Sequence, residues 1–304
     1  MKELQDQDVV YEISRKNSPV VHADDGELVL FHTQDCYKNM VTNENAAMSE
    51  QFPDETPNNP ATGPVYINGA QPGDVVAVEI LDIRVQDHGV VENGHNHYPL
   101  AADQERIRIL PIHNNTVTFH DVTWRLEPMI GVIGMPADND EPMPTMCVFN
   151  GGGNMDNRRI TKGATVYLPV RVEGGLLALG DLHATMGDGE VCGTGLEVAG
   201  EVLVRLHLIK NFALNWPVIE TKTRWYVNTN GKTTDEAIRA GYKEMRRLLA
   251  NAYGWDDADA AIYMTLRGYV EACQACLVPG AGGNSMRIGT PKLADHKPLI
   301  TKEN

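Results

Sequence analysis

Pro72-Gly73-Asp74, followed by Val75-Val76-Ala77-Val78-Glu79-Ile80-Leu81-Asp82-Ile83-Arg84-Val85, is the stretch whose reading decides the fold class. A turn tripeptide leads into a run rich in β-branched residues, which reads as a strand. Similar runs occupy Arg106 to Ile112, Thr116 to Val122, Ala164 to Val172 and Glu201 to Leu208. Gly and Pro punctuate them, and no amphipathic helix of convincing length separates one from the next. That pattern favours a sandwich or barrel-like β body over a doubly wound parallel sheet. Long polar loops at Asn43 to Asn59 and Gln86 to Asp103 are where sites and subunit contacts usually sit on a rigid β scaffold.

Past residue 225 the character changes. Thr233 with Glu236 forms a capping box opening a helix, with Ala237, Gly241, Met245, Leu248 and Ala252 near one face and Gly254 at its stop. Asp256 or Asp257 caps a second helix, expected to run to about Ala275. The expected fold is therefore mainly β. A sandwich- or barrel-like body spans residues 1–225, and a smaller α/β C-terminal part, 226–304, packs on it.

The chain's 304 residues are 42% hydrophobic and 22% charged, ordinary values for a globular protein. A net charge of −15 argues against nucleic acid as a partner. No apolar run is long enough to span a bilayer, and MKELQDQDVVYEIS lacks the apolar stretch of a secretory signal. Five scattered cysteines do not read as a disulfide framework, so the expected location is cytoplasmic. Cys273-x-x-Cys276, with no second pair, reads as two thiols near a helix end rather than a zinc site.

Chemistry concentrates in Gly180–Glu201, GDLHATMGDGEVCGTGLEVAGE, where Asp181, His183, Asp188, Glu190 and Glu197 lie among glycines. Burying unpaired carboxylates is costly, so such a concentration at tight turns points to cation binding, proton handling or both. A second cluster, Asn150-Gly151-Gly152-Gly153-Asn154-Met155-Asp156, precedes the strand pattern RRITKGATVYLPV. Consecutive glycines allow positive φ and close approach of backbone amides to a ligand.

GGNMD, KGATVYLPV and GDLHATMGDGEVCGTGLE, in that order and spacing, resemble the acetamidase/formamidase family. NPATGPVYINGAQPGDVVAVEILDI, Asn59 to Ile83, resembles its N-terminal signature, and IGVIGMPADND also fits the family. The likeness runs from about His32 to Pro217 and more thinly beyond. It implies a hydrolase of short aliphatic amides, releasing ammonia and a carboxylate, and a homo-oligomer, either a dimer or an assembly of dimers.

Residue chemistry alone reaches metal-assisted hydrolysis of a small polar molecule. Asp181 and His183 are two apart, so on an extended strand they share a face, as two ligands of one divalent ion do. Asp156 completes the set from the other glycine-rich turn, and His32-Thr33-Gln34-Asp35 offers His32 and Asp35. Mixed imidazole and carboxylate ligation suits zinc. His183 is also a candidate catalytic hydrogen-bonding group. Glu190 is the expected general base, while Asn154 and the amide of Gly153 are expected to hold the substrate. Asp188 and Glu197 brace the loop or serve the site. No G-x-S-x-G elbow supports a serine hydrolase, and acids around Cys192 oppose a thiolate there. His95-Asn96-His97 is a weaker metal candidate without neighbouring acids. The alternative from a different class is a calcium-stabilised β-sandwich binding module without catalysis.

Overall fold

Val75–Val85 is an 11-residue strand in the computed structural model of the protein, which describes residues 1–94, 98–139, 141–276 and 283–301. It pairs antiparallel with Gly200–Ile209 on one side and Thr165–Pro169 on the other, near the middle of a nine-stranded sheet. Successive side chains alternate between the faces of a strand. Val76, Val78 and Ile80 enter one core, Val75 and Ala77 a second. Burial on both faces explains why the run is almost continuously apolar rather than alternating.

The first core fills the space between this sheet and a twelve-stranded one. Val29, Phe31, Val202 and Val204 come from the former; Ile130, Ile133, Leu177 and Leu179 come from the latter. The body is a β-sandwich, and the fold is mainly β as expected. In the second core, Met245, Leu248, Leu249 and Met264 of two helices cover Trp225, Val227 and Ile288 on the outer face of the nine-stranded sheet.

The helix Thr234–Tyr253 begins and ends where its sequence dictates. The Thr233 side chain accepts from the Glu236 N–H, Glu236 reaches back to the Thr233 N–H, and Gly254 closes the helix at φ 72°. Asp256 caps the second helix, Asp257–Arg267, which stops well before Ala275. Gly268 packs on the Met264 carbonyl oxygen, and Tyr269–Ala272 pairs as a strand with Asn284–Pro291. Cys273 and Cys276 thus follow a strand, not a helix, because pairing with a distant partner overrides local helical pattern.

Two other expectations are revised for the same reason. Thr116–Phe119 and Val122–Arg125 form a hairpin rather than one strand, with His120 at φ 53° in its turn. Inside the expected loop Gln86 to Asp103, His88–Asn93 pairs antiparallel with Arg106–His113. The division expected at residue 225 falls within the strand Arg224–Gly231. With Val218–Glu220, Asn284–Pro291 and Tyr269–Ala272, that strand extends the nine-stranded sheet to its edge. The C-terminal part therefore continues the sheet of the body and adds helices to its outer face. No helix among the described residues is long and apolar enough to cross a membrane.

Candidate active site

The strand Leu177–His183 is buried along its whole length and pairs with Met129–Gly134, whose other edge carries Gly152–Asn154. The two glycine-rich segments are therefore neighbours across one strand, and their acids converge. His183 Nε2 lies 3.2 Å from Glu197 Oε1, 3.5 Å from Asp181 Oδ1, 3.8 Å from Glu190 Oε1 and 3.9 Å from Asp156 Oδ1. All five side chains are buried. The meeting of Asp181 and His183 is not that of a regular strand. Asp181 has φ 56°, and Asp156 and Glu190 also occupy the left-handed region, at 41° and 45°. Each such residue costs roughly 1–3 kcal/mol, and strain of this kind gathers at functional sites.

Gly131 makes the convergence possible. A Cβ there would lie 2.5 Å from Asp181 Oδ2 and 2.6 Å from Asp156 Oδ1. Gly131→Ala is expected to force the two carboxylates apart and to destabilise the fold by about 1–3 kcal/mol, the usual cost of overpacking. Thermal unfolding checks this, and a wild-type melting temperature would contradict it. Gly195 plays the same part for His183, whose Nδ1 would lie 2.5 Å from an added Cβ.

Among the described residues, His183 is the only cation paired with these four acids. One imidazolium cannot balance four buried carboxylates, so the excess must be met by protons or by a cation. Burial pushes Glu190 up to about 6, against the pull of His183 and of the Gln274 amide. Burial likewise pushes Glu197 up to about 8. Asp156 stands well above the usual carboxylate range, through burial and then through Glu190 and Asp181. For His183, burial opposes the charged form, but Glu197 and Asp181 outweigh it and hold the imidazolium.

Among the described residues, Asp156 Oδ1 and Glu197 Oε2 are buried without a hydrogen-bond partner. Asp156, His183 and Glu190 present ligand atoms within 4.8 Å of one another, and so do Cys36, Asp181 and Glu197. This donor set, with unsatisfied carboxylate oxygens, fits a divalent cation. A cavity of about 50 Å³ adjoins it, lined among others by Tyr37, Asn59, Tyr98 and Asn154.

Asp156, Asp181, His183 and Glu190 are thus brought together. Asn154 lines the cavity, where its Oδ1 accepts from Asn59 Nδ2 at 3.3 Å. Gly153 is packed against the Cys147 carbonyl oxygen and the Phe149 ring. His32 sits apart, half-exposed, 2.9 Å from Glu3 and 3.5 Å from Glu201. Asp35 is buried, and its Oδ1 accepts the Asn39 N–H at 2.6 Å, closing a turn. Of the segment it heads, Cys36 is the residue that reaches the cluster. Glu197 does two things: Oε1 accepts the Gly195 N–H at 2.8 Å, and Oε2 has no hydrogen-bond partner among the described residues. Asp188 braces the loop, accepting from Arg287 at 2.7 Å. His95 and His97 lie outside the described residues.

Sequence reasoning missed Gln274. Its Nε2 donates to Asp156 Oδ2 at 2.7 Å and to Glu190 Oε2 at 2.9 Å, tying the two acids together. Backbone bonds from Gly189 N to Cys273 O and from Ala275 N to Gly189 O hold Gln274 there. Its only local signal was its place inside Cys273-x-x-Cys276. Ser285 and Asn228 add to this anchoring: Ser285 Oγ donates to Met155 O, and Asn157 Nδ2 donates to Asn228 Oδ1.

A sequence profile of the Acetamidase/Formamidase family matches residues 15–140 and 136–275. A putative formamidase of Schizosaccharomyces pombe is 29% identical over a match covering 62% of this chain and 61% of that protein. The formamidase of Methylophilus methylotrophus is 28% identical, covering 60% and 62% respectively. The chain thus spans about three fifths of the length of these two relatives. The crystal structure of an acetamidase from Bacillus halodurans is similar with a TM-score of 0.88 at 33% identity, covering 95% of this chain and 97% of that one.

Proposed function

Because the chain belongs to the acetamidase/formamidase family, we propose that it hydrolyses short linear amides, formamide or acetamide, to ammonia and a carboxylate at the cluster around His183. The observation that carries this reading is the convergence of four buried acids on one imidazole, three of them in left-handed backbone. A divalent cation at Asp156, Asp181 and His183 belongs to the proposal. Imidazole and carboxylate ligands suit zinc, and the thiol of Cys36 beside Asp181 and Glu197 favours a borderline metal over calcium. When bound, such an ion polarises a carbonyl and lowers the pKa of water.

The rest of the chemistry falls to side chains. Glu190, buried beside His183 and held by Gln274, takes a proton from the attacking water and returns it to the departing nitrogen. Gln274 orients that carboxylate by donating to Oε2. Asn154, with Oδ1 engaged by Asn59, offers Nδ2 to the substrate oxygen. Ammonia release from formamide, acetamide, propionamide and urea tests the reading. Turnover of at least one linear amide is expected, and none would overturn it.

The cation also has a stability signature. Raised carboxylate pKa values mean that the folded chain holds protons that the unfolded chain has released. Stability of metal-free protein should therefore fall as pH rises, from the ordinary 4.5 to about 6 for Glu190 and to about 8 for Glu197. His183, whose charged form the fold favours, loses its contribution in the same direction. Stripped protein is expected to melt lower at pH 8 than at pH 5, and zinc at pH 8 to restore several degrees. Equal melting temperatures at both pH values, unmoved by zinc, would contradict this.

The proposal extends to a homo-oligomer in the cytoplasm. Support comes from large apolar residues exposed on the helix Asp257–Arg267, namely Ile262 and Leu266, and from five cysteines held outside any disulfide among the described residues.

A further inference from the structure

A second cavity, of about 520 Å³, opens beside the cluster. Leu110, Phe119, Trp124, Met186, Val191 and Leu196 form its apolar walls. Glu190 and Thr194 line both this groove and the small inner cavity, so the apolar walls end at the proposed base. Met186 belongs to the groove and also lies 3.3 Å, through Sδ, from His183 Nδ1. The Trp124 indole is fixed by donating to Thr185 Oγ1 at 3.2 Å.

Large apolar side chains are left open to solvent here: Phe119 is 40% exposed, Trp124 36% and Val191 49%. The charged groups at the rim are already engaged, Arg158 with Glu127 and Asp188 with Arg287. An apolar concavity whose rim charges are neutralised, abutting a few convergent polar groups, is built for a neutral, partly apolar small molecule. The inner cavity is far smaller, about 50 Å³ against about 520 Å³, so the groove rather than the inner cavity offers space for a chain.

We propose that the groove seats the acyl group of a neutral primary amide, so that the better substrates carry about four to eight acyl carbons rather than the one or two of formamide and acetamide. This inference rests on the amide-hydrolase reading. The reacting carboxamide lies against Glu190 and Asn154, and the acyl chain runs outward between Met186, Trp124 and Val191. Val191→Trp fills the groove from an exposed position, while Trp124→Ala removes a wall.

The test is kcat/KM for ammonia release from acetamide, butanamide, hexanamide and phenylacetamide by the full chain and both variants. The expected result is a rise of about threefold to fourfold per methylene from acetamide to hexanamide, as burial of each methylene predicts. Val191→Trp should lower the hexanamide-to-acetamide ratio at least tenfold, and Trp124→Ala should lower it severalfold. A preference for acetamide that neither variant moves overturns the inference and leaves the amide-hydrolase reading standing. Absence of ammonia from every amide, formamide included, overturns both. If Trp124→Ala splits an oligomer without changing the ratio, the groove is a contact between copies of the chain and the inference fails.

Discussion

Glu190→Gln is expected to lower kcat for formamide by about 10²–10⁴-fold, the usual contribution of a positioned acid–base group. The replacement keeps the shape of the side chain and its place in the cavity while removing the proton acceptor. On the proposed mechanism Glu190 acts ionised, so wild-type activity should fall at acid pH as this carboxyl takes a proton, with a bound cation holding that limb below the value of about 6 that burial gives the metal-free chain. In the variant that acidic limb should disappear from the residual rate. Zinc content, measured by elemental analysis, should remain that of the wild type, which separates a lost base from a lost ligand. Formamide hydrolysis at the normal rate would show that another group moves the proton.

Arg287→Met should cost about 1.5–3 kcal/mol of stability, because a buried guanidinium loses its charge-assisted hydrogen bonds to Asp188 and Glu271 while those two carboxylates stay partly solvated. Arg287 is fully buried, with Nε donating to Glu271 at 2.6 Å, Nη2 to Asp188 at 2.7 Å and Nη1 to the Ala272 carbonyl at 3.0 Å. The substitution keeps most of the volume, so the loss measured by urea denaturation reports on the charge and its bonds. Asp188 stands two residues before Glu190, so detaching it should also lower kcat with little change in KM. Adding Asp188→Asn and Glu271→Gln should recover part of the stability, because the stranded charges are then gone. A loss below about 1 kcal/mol would mean that the clamp does not hold the loop.

These residues also mark where local reading of the chain ends. Val75–Val85 and the helix opened by Thr233 and Glu236 were legible because their signals are local: β-branched density after a turn, and a reciprocal cap. The meeting of Asp156 with Asp181, His183 and Glu190 was legible as a convergence of two glycine-rich segments. Gln274 and Arg287 were not, because each reaches the site through pairing of C-terminal strands, which no spacing within the chain encodes. Likewise, His32 precedes the cluster in sequence but faces Glu3 and Glu201, because alternation along Leu28–Thr33 turns it outward while Phe31 and Thr33 are buried. The second helix was read too long because Tyr269–Ala272 owes its extended form to Asn284–Pro291 rather than to its own residues.

The central claim is that the acids around His183 form one cation-dependent hydrolytic centre. Ammonia release from formamide, measured on protein stripped by a chelator and then titrated with zinc, tests it most directly. Activity should vanish on stripping and return as zinc approaches one equivalent per chain. Full activity in protein shown by elemental analysis to carry no divalent metal would contradict the account.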